Sequence, residues 1–376
     1  MTPFRTLSCR CAQIMTLLVS AVAATSVVIA PAQAATPGTP VPQLPQVNQS
    51  SNGGDNTSLG FVRDTAQLGR PDAGVVPVVG RAGVRADDGA TVAYESRVDA
   101  RTVDLMVSSP ALAGAAPVRL LLPASWSSQP ARTFPTLVLL PGASEKADYQ
   151  SWSLYSHAVP LTAGSDALVV MPSVGSTGLG ADWTRASRGY QYGTFLAVEL
   201  PQLLERGYRA SGRSAVAGVS TGGYTAVALA ASDPGGYVAT ASFSGLVNSS
   251  APVIRELITA ILLREGLDPF SLWGDPCLGY FTWRANDPAT SVSRLAGTDT
   301  YVSSDNGTPG PLDPAGTQFA PYEASTYASS QGFVAAASRA GVPLTTDFYG
   351  AGTHTWPYWD RQFASWWPRA KALLGA

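Results

Sequence analysis

The stretch Ala217-Gly218-Val219-Ser220-Thr221-Gly222-Gly223-Tyr224 constrains this chain more than any other. Gly218-x-Ser220-x-Gly222 follows an apolar run at residues 214–219 that reads as a buried strand. It precedes Thr225 to Ala231, which reads as a helix stopped near Asp233-Pro234. A serine held between strand and helix, with glycines on both sides, marks a turn too tight for bulk at the flanking positions. Such a turn lifts the hydroxyl above the sheet and leaves the Thr221 N–H beside it, near the positive end of the following helix. The competing reading is a Gly-rich turn that merely contains a serine, and partner residues must decide between the two.

The surrounding chain supplies a sheet. Arg101 to Ser108 and Pro117 to Leu122 read as an opening pair of strands. Thr136 to Leu140, Ala167 to Met171, Tyr237 to Phe243, Thr300 to Ser304 and Leu344 to Tyr349 read as further strands. Gln191 to Tyr208 carries Phe195, Leu196, Val198, Leu200, Leu203 and Leu204 at near-helical spacing, with Pro201 placed to kink it. Val253 to Leu263 is a very apolar helix that either walls a channel or packs on the core. Apolar strands alternating with helical segments require a parallel sheet covered on both faces. The expected fold is therefore α/β: an α/β-hydrolase, with a central, mostly parallel sheet and helices on both faces.

That fold expects the order serine, acid, histidine. A serine hydroxyl needs a base within hydrogen-bond reach, and the chain has only His157 and His354. His157 precedes the serine. His354 lies in Gly350-Ala351-Gly352-Thr353-His354-Thr355-Trp356, a loop after a late strand, where sites of open α/β sheets gather. Between them stand Asp299, Asp305, Asp313 and Glu323, with Asp347 assigned to the last strand. Asp313 and Glu323 follow the preceding strand, where the acid belongs, and position does not separate them.

The N-terminus reads as export machinery. Arg5 and Arg10 precede an uncharged, mostly apolar stretch from Ile14 to Ala30, and Ala32-Gln33-Ala34 fits a small-x-small cleavage site. Residues 1–34 are assigned to a signal peptide, the mature chain starting near Ala35; an uncleaved anchor is the rival reading. Residues 35–90, rich in Pro, Gly, Ser and Asn, are assigned to a flexible linker, and 91–376 to the catalytic domain. After cleavage only Cys277 would remain, so it is expected to be an unpaired, buried thiol. Two histidines and no ligand cluster argue against a metal, and no cofactor is expected. Charged residues make up 13%, the net charge is −2 and no basic stripe is present, so nucleic acid is not an expected partner.

From about Asp99 onward the chain resembles the antigen 85 mycolyltransferase family of Actinobacteria. Thr353-His354-Thr355-Trp356-x-Tyr358-Trp359 is similar to that family's T-H-S-W-x-Y-W, and Trp283-Arg284-Ala285-Asn286-Asp287-Pro288 to its W-E-R-N-D-P. Asn306-Gly307-Thr308-Pro309 matches its N-G-T-P, and Thr194-Phe195-Leu196 and Glu199-Leu200-Pro201-Gln202 match T-F-L and E-L-P-Q. The resemblance implies Ser220 as nucleophile, His354 as base, and Glu323, 16 residues after Gly307, as acid. It implies an oxyanion hole from the N–H groups of Ala143 and Thr221. The family's D-G-L-R reads Pro141-Gly142-Ala143-Ser144 here, so the aspartate and arginine that the resemblance assigns to sugar binding are missing. Lys146 and Asp148 are weighed as substitutes against a solvated surface. Ser144, Trp152 and Trp356 are carried as substrate contacts. The implied activity is ping-pong acyl transfer by a secreted, envelope-associated enzyme, with a glycolipid donor and a sugar acceptor. A secreted serine esterase and a non-catalytic surface-binding protein are the alternatives.

Overall fold

The runs Phe134–Leu140 (β4), Leu168–Pro172 (β5) and Ala210–Val219 (β6) have no continuous polar face in their second halves, so they must be covered on both sides. A computed structural model, which describes residues 84–185 and 189–376, places them at the centre of one nine-stranded sheet. Thr91–Arg97 (β1), Thr102–Ser109 (β2) and Gly114–Leu121 (β3) form an antiparallel entrance, and β3 lies antiparallel to β5. From β5 onward every pairing is parallel, through β4, β6, Tyr237–Phe243 (β7), Asp299–Ser304 (β8) and Thr345–Phe348 (β9). The order is β1-β2-β3-β5-β4-β6-β7-β8-β9.

The alternation of side chains along these strands divides the core between two faces. Leu137, Leu139, Ala215, Ala217 and Val219 point to one face, where Trp152, Trp356, Trp359, Phe363, Trp366 and Trp367 meet them. Most of those aromatics come from the helix Trp356–Leu374 (α5). Phe134, Leu140, Val170 and Val216 point to the other face. They meet Leu200–Tyr208 (α1), Thr221–Ser232 (α2) and, through Phe333 and Ala337, Pro321–Ala340 (α4). The helix expected over 191–208 runs without a break but changes its winding before Pro201. A short helical piece and a π-helical turn at Phe195–Glu199 precede α1, and Pro201 sits in the first turn of α1, where a missing N–H costs least.

Pro252–Arg264 (α3) does not present its apolar face to an open channel. Ile254, Leu257, Ile258, Ile261 and Leu262 are buried against Tyr224, Trp273 and Trp283 in a third cluster. Two other expectations change. The folded part begins before residue 91, since Ala86 and Ala90 are buried in the core and Arg85 bridges to Thr91. Cys277 is exposed and disulfide-bonded rather than a buried thiol. Cys9 and Cys11 lie outside the described residues. The signal peptide and most of the linker lie outside the described residues as well.

Phe363 of α5 is fully buried, with its ring 5.3 Å from Trp152 and 6.2 Å from Trp367. Deleting a buried aromatic ring removes its transfer energy and leaves a cavity, at a cost of about 3–5 kcal/mol. Phe363→Ala is expected to lower the unfolding free energy by that amount in urea titration. A loss below about 1 kcal/mol, the level of ordinary surface changes, would contradict the packing described.

Candidate active site

Ser220 adopts φ 54° and ψ −124°, a backbone conformation that L residues rarely take and that neighbours must enforce. Its N–H donates to the Phe243 carbonyl at the end of β7, and its carbonyl accepts from Gly223 N–H, both at 2.9 Å. A Cβ on Gly218 would lie 2.1 Å from the Gly222 carbonyl oxygen, and one on Gly222 would lie 2.3 Å from the Pro141 carbonyl oxygen. Glycine is required at both positions by contact. The turn brings Ser220 Oγ to 2.9 Å from His354 Nε2.

His354 stands between β9 and α5 on a loop tied down from several sides. Asn306 N–H donates to the Gly350 carbonyl at 2.8 Å, and Gly352 N–H to Thr308 at 2.6 Å. The Asp313 carboxylate accepts from Gly310 N–H at 2.7 Å, from the Tyr358 hydroxyl at 2.8 Å and from the Thr353 hydroxyl. Asp313 thus holds the loop next to the histidine and does not touch its ring. Asp299 pairs with Arg369, and Asp347 accepts from Gln362. His157 pairs with Asp360, its Nδ1 2.5 Å from Oδ2, away from the serine.

The acid in contact with His354 is Glu323, in the first turn of α4. Its Oε2 lies 2.6 Å from His354 Nδ1, and the carboxyl is fully buried. Oε1 accepts from the Ser304 hydroxyl at 2.6 Å, the Ser244 hydroxyl at 2.8 Å and the Asp305 N–H at 2.9 Å. Burial opposes its charge, but the His354 hydrogen bond and charge, then the Ser304 and Asp305 donors, outweigh it and hold the carboxyl below its usual range. An ionised carboxylate only accepts, so Nδ1 must carry the proton and Nε2 is left to accept from Ser220. Trp359 Nε1–H donates to Ser244 Oγ at 3.1 Å and its ring meets His354 edge-on at 4.9 Å, so one α5 side chain braces both acid and base.

The loop after β4 passes over the serine. A Cβ on Gly142 would lie 3.1 Å from Ser220 Cβ and 3.7 Å from Oγ. Ser144 N–H is consumed by the Ser176 carbonyl at 2.7 Å, whereas the N–H groups of Ala143 and Thr221 have no acceptor among the described residues. Ser144 is exposed, and its hydroxyl meets Glu265 and Arg264, which reach it from the end of α3. Tyr322 lies beneath the Arg264 guanidinium, and its ring is 5.9 Å from His354.

The aromatic residues expected as substrate contacts are buried. Trp152 is 1% exposed, donates to the Leu140 carbonyl at 3.0 Å and packs on Phe243, Trp356 and Phe363. Trp356 is 4% exposed and donates to Glu145 Oε1 at 3.1 Å. Both are core residues, because α5 buries its first turn immediately after the histidine. Lys146 is exposed, but Asp148 is not simply solvated: burial pushes its carboxyl up to about 6. Glu145 escaped sequence reasoning. It accepts from Trp356 and Ser151, lies near His354, and is pushed by burial up to about 7. Its only signal was a place two residues beyond Ala143.

A parallel sheet in this strand order, with a serine on a positive-φ turn after a central strand and a histidine after the last, defines an α/β-hydrolase. Comparison with known proteins narrows the class. The family described as putative esterase matches residues 109–369. The diacylglycerol acyltransferase/mycolyltransferase Ag85B of Mycobacterium intracellulare is 32% identical over 257 residues, covering 64% of this chain and 76% of that protein. The corresponding Ag85C of Mycobacterium avium is 32% identical over 254 residues, covering 63% and 70%. The crystal structure of Mycobacterium tuberculosis MPT51 (FbpC1) superposes with a TM-score of 0.61 at 28% identity, covering 72% of this chain and 97% of that one. An S-formylglutathione hydrolase from Agrobacterium tumefaciens, at 16% identity and a TM-score of 0.59, shares the fold. The chain belongs to the antigen 85 mycolyltransferase family, within the esterases of this fold.

Gly218→Ala is expected to abolish the turn, since a Cβ 2.1 Å from a backbone oxygen forces the strand and helix apart. Thermal melting of the variant should show a strongly lowered transition or no folded protein. A variant with wild-type melting and activity would contradict the contact.

Proposed function

We propose that this protein is a secreted acyltransferase that moves a mycolyl-type long acyl chain between trehalose glycolipids, or onto a wall sugar, through a seryl acyl-enzyme. The observation that carries this reading is the unbroken relay from Glu323 through His354 to Ser220, set beside two amides without acceptors. Ser220 Oγ attacks the ester carbonyl carbon as His354 Nε2 takes its proton. Glu323 holds the ring and stabilises the charge it gains. The N–H groups of Ala143 and Thr221 receive the oxyanion, each contributing about 3 kcal/mol. Collapse expels the donor sugar oxygen, which takes the proton from His354. An acceptor hydroxyl then gives its proton to His354, attacks the acyl carbon and frees Ser220.

Two features bear on the acceptor. Pro141 and Ser144 lack the charged groups that the family resemblance assigns to sugar binding. Arg264, reaching Ser144 from another element, returns a guanidinium to that rim with Glu265 beside it, which supports a polyhydroxyl headgroup. The second reading, a secreted serine esterase with water as acceptor, draws on the missing aspartate at Pro141. Reaction of Ser220 with a fluorophosphonate would exclude a merely adhesive role.

Ser220→Ala, His354→Ala and Glu323→Ala are each expected to lower turnover of a short p-nitrophenyl ester by about a thousandfold or more, with little further loss in double variants, because the three act as a unit. Asp313→Ala is expected to cost less than Glu323→Ala, since Asp313 acts through the loop; the reverse order would overturn the acid assignment. With labelled trehalose monomycolate and free trehalose, label should move to trehalose or to dimycolate on thin-layer chromatography. Release of free acid alone, unaffected by trehalose, would establish the esterase reading instead. N-terminal sequencing of exported material should begin near Ala35, and recovery of only full-length chain in the membrane fraction would contradict export with cleavage.

A further inference from the structure

Asp305 is a second buried acid beside the first, and nothing in the acyl-transfer steps employs it. It follows the last residue of β8 and is 0% exposed. Its main-chain N–H donates to Glu323 Oε1, yet neither of its own carboxyl oxygens has a donor in full hydrogen-bond geometry; the Tyr349 hydroxyl and the Gly307 N–H approach it without completing such a bond. On the far side it abuts the turn that leads to His354: a Cβ on Gly352 would lie 2.0 Å from Asp305 Oδ2. The titratable and charged groups around it are Glu323 from α4, Tyr349 at the end of β9, and Tyr358 and Arg361 from α5, with His354 beyond Glu323. Arg361 does not neutralise it. That guanidinium lies over the rings of Tyr349 and Tyr358, at 4.0 and 5.6 Å.

A carboxylate with no well-formed hydrogen bond, out of water and next to a carboxylate that must stay ionised, is a costly charge for a protein to hold. Two carboxyls sharing one site do not both ionise, so the proton goes to the one with fewer donors. Glu323 has three donors and the histidine in full hydrogen-bond geometry, whereas Asp305 has none in that geometry and only the Tyr349 hydroxyl and the Gly307 N–H near it. We propose that Asp305 is a positioning residue that works as an uncharged acid, filling the space between Glu323 and Gly352 so that the Glu323–His354 bond keeps its geometry. Ionised, it must part from Glu323. With Gly352 at its back, that parting displaces the turn carrying Thr353 and His354. The direction of its titration agrees, burial first and the Glu323 charge second pushing the carboxyl up to about 8.

The test compares the wild type with Asp305→Asn, an uncharged substitute of the same shape, on p-nitrophenyl butyrate from pH 6 to 10. The wild type should lose kcat/KM above about pH 8, close to tenfold per further unit as for a single ionisation. Asp305→Asn should keep near wild-type kcat/KM at pH 7 and hold its plateau to beyond pH 9. Melting supplies a readout independent of activity. Asp305 binds its proton more tightly folded than unfolded, where the value is about 3.9, so the wild type loses stability as pH rises from about 4 to about 8. The Tm of Asp305→Asn relative to wild type should therefore climb across that window. Should Asp305→Asn fail to fold, Asp305→Ser carries the same expectation for the alkaline limb and the Tm difference. The same alkaline limb in wild type and variant, or a Tm difference flat with pH, would overturn the proposal. Loss of transferase activity without either change would touch the functional reading and leave this one overturned on its own terms.

Discussion

The structure depends on the backbone of one residue. Ser220 sits at positive φ because β6 must end and α2 must begin within a single residue, and that geometry persists only where the surroundings over-determine it. Here the surroundings are the parallel register of β4, β6 and β7, the Phe243 carbonyl that receives the serine N–H, and two glycines whose missing side chains let β6, α2 and the Pro141 loop close on one another. Strain is confined to the turn while the apolar strands beneath contribute the stability that sustains it.

Much of the site was legible because its chemistry leaves few options. Two histidines and a required chain order isolate His354, and strand, turn and helix around Ser220 are written in three adjacent residue patterns. The acid was less legible. Asp313 and Glu323 occupy equivalent sequence positions, and both matter to His354. One bonds its ring, and the other bonds the hydroxyl of its neighbour Thr353. Distance along the chain cannot distinguish holding an imidazole from holding the loop that bears it; the family spacing from Gly307 did so.

The burial of the aromatics was not legible for a related reason. Trp152 and Trp356 lie close in sequence to the oxyanion loop and to the base, and closeness along the chain does not tell which way a ring turns. Helix α5 starts two residues after His354, so its first turn must bury, and Trp356 turns inward with it onto Trp152. Edge strand β1 carried no apolar alternation, and its intermediate burial matches that silence. Glu145 was not singled out, and Asp305 was named only as a candidate acid, for a different reason. A carboxyl enclosed by segments distant in sequence has no local signature, since what makes it unusual is the absence of water around it.

Helix α5 gives this site a timetable. The serine, its turn and the oxyanion loop all lie within the first two thirds of the chain, and the strands that support them pair without α5. The base has no comparable support of its own. Trp359 braces His354 and, through Ser244, the acid, and it is fixed by the aromatic cluster that the rest of α5 completes against the sheet. A nascent chain can therefore build its nucleophile while the group that activates it is still unplaced. Helix α5 works as a latch, and until it docks the molecule carries a serine whose base is not yet braced.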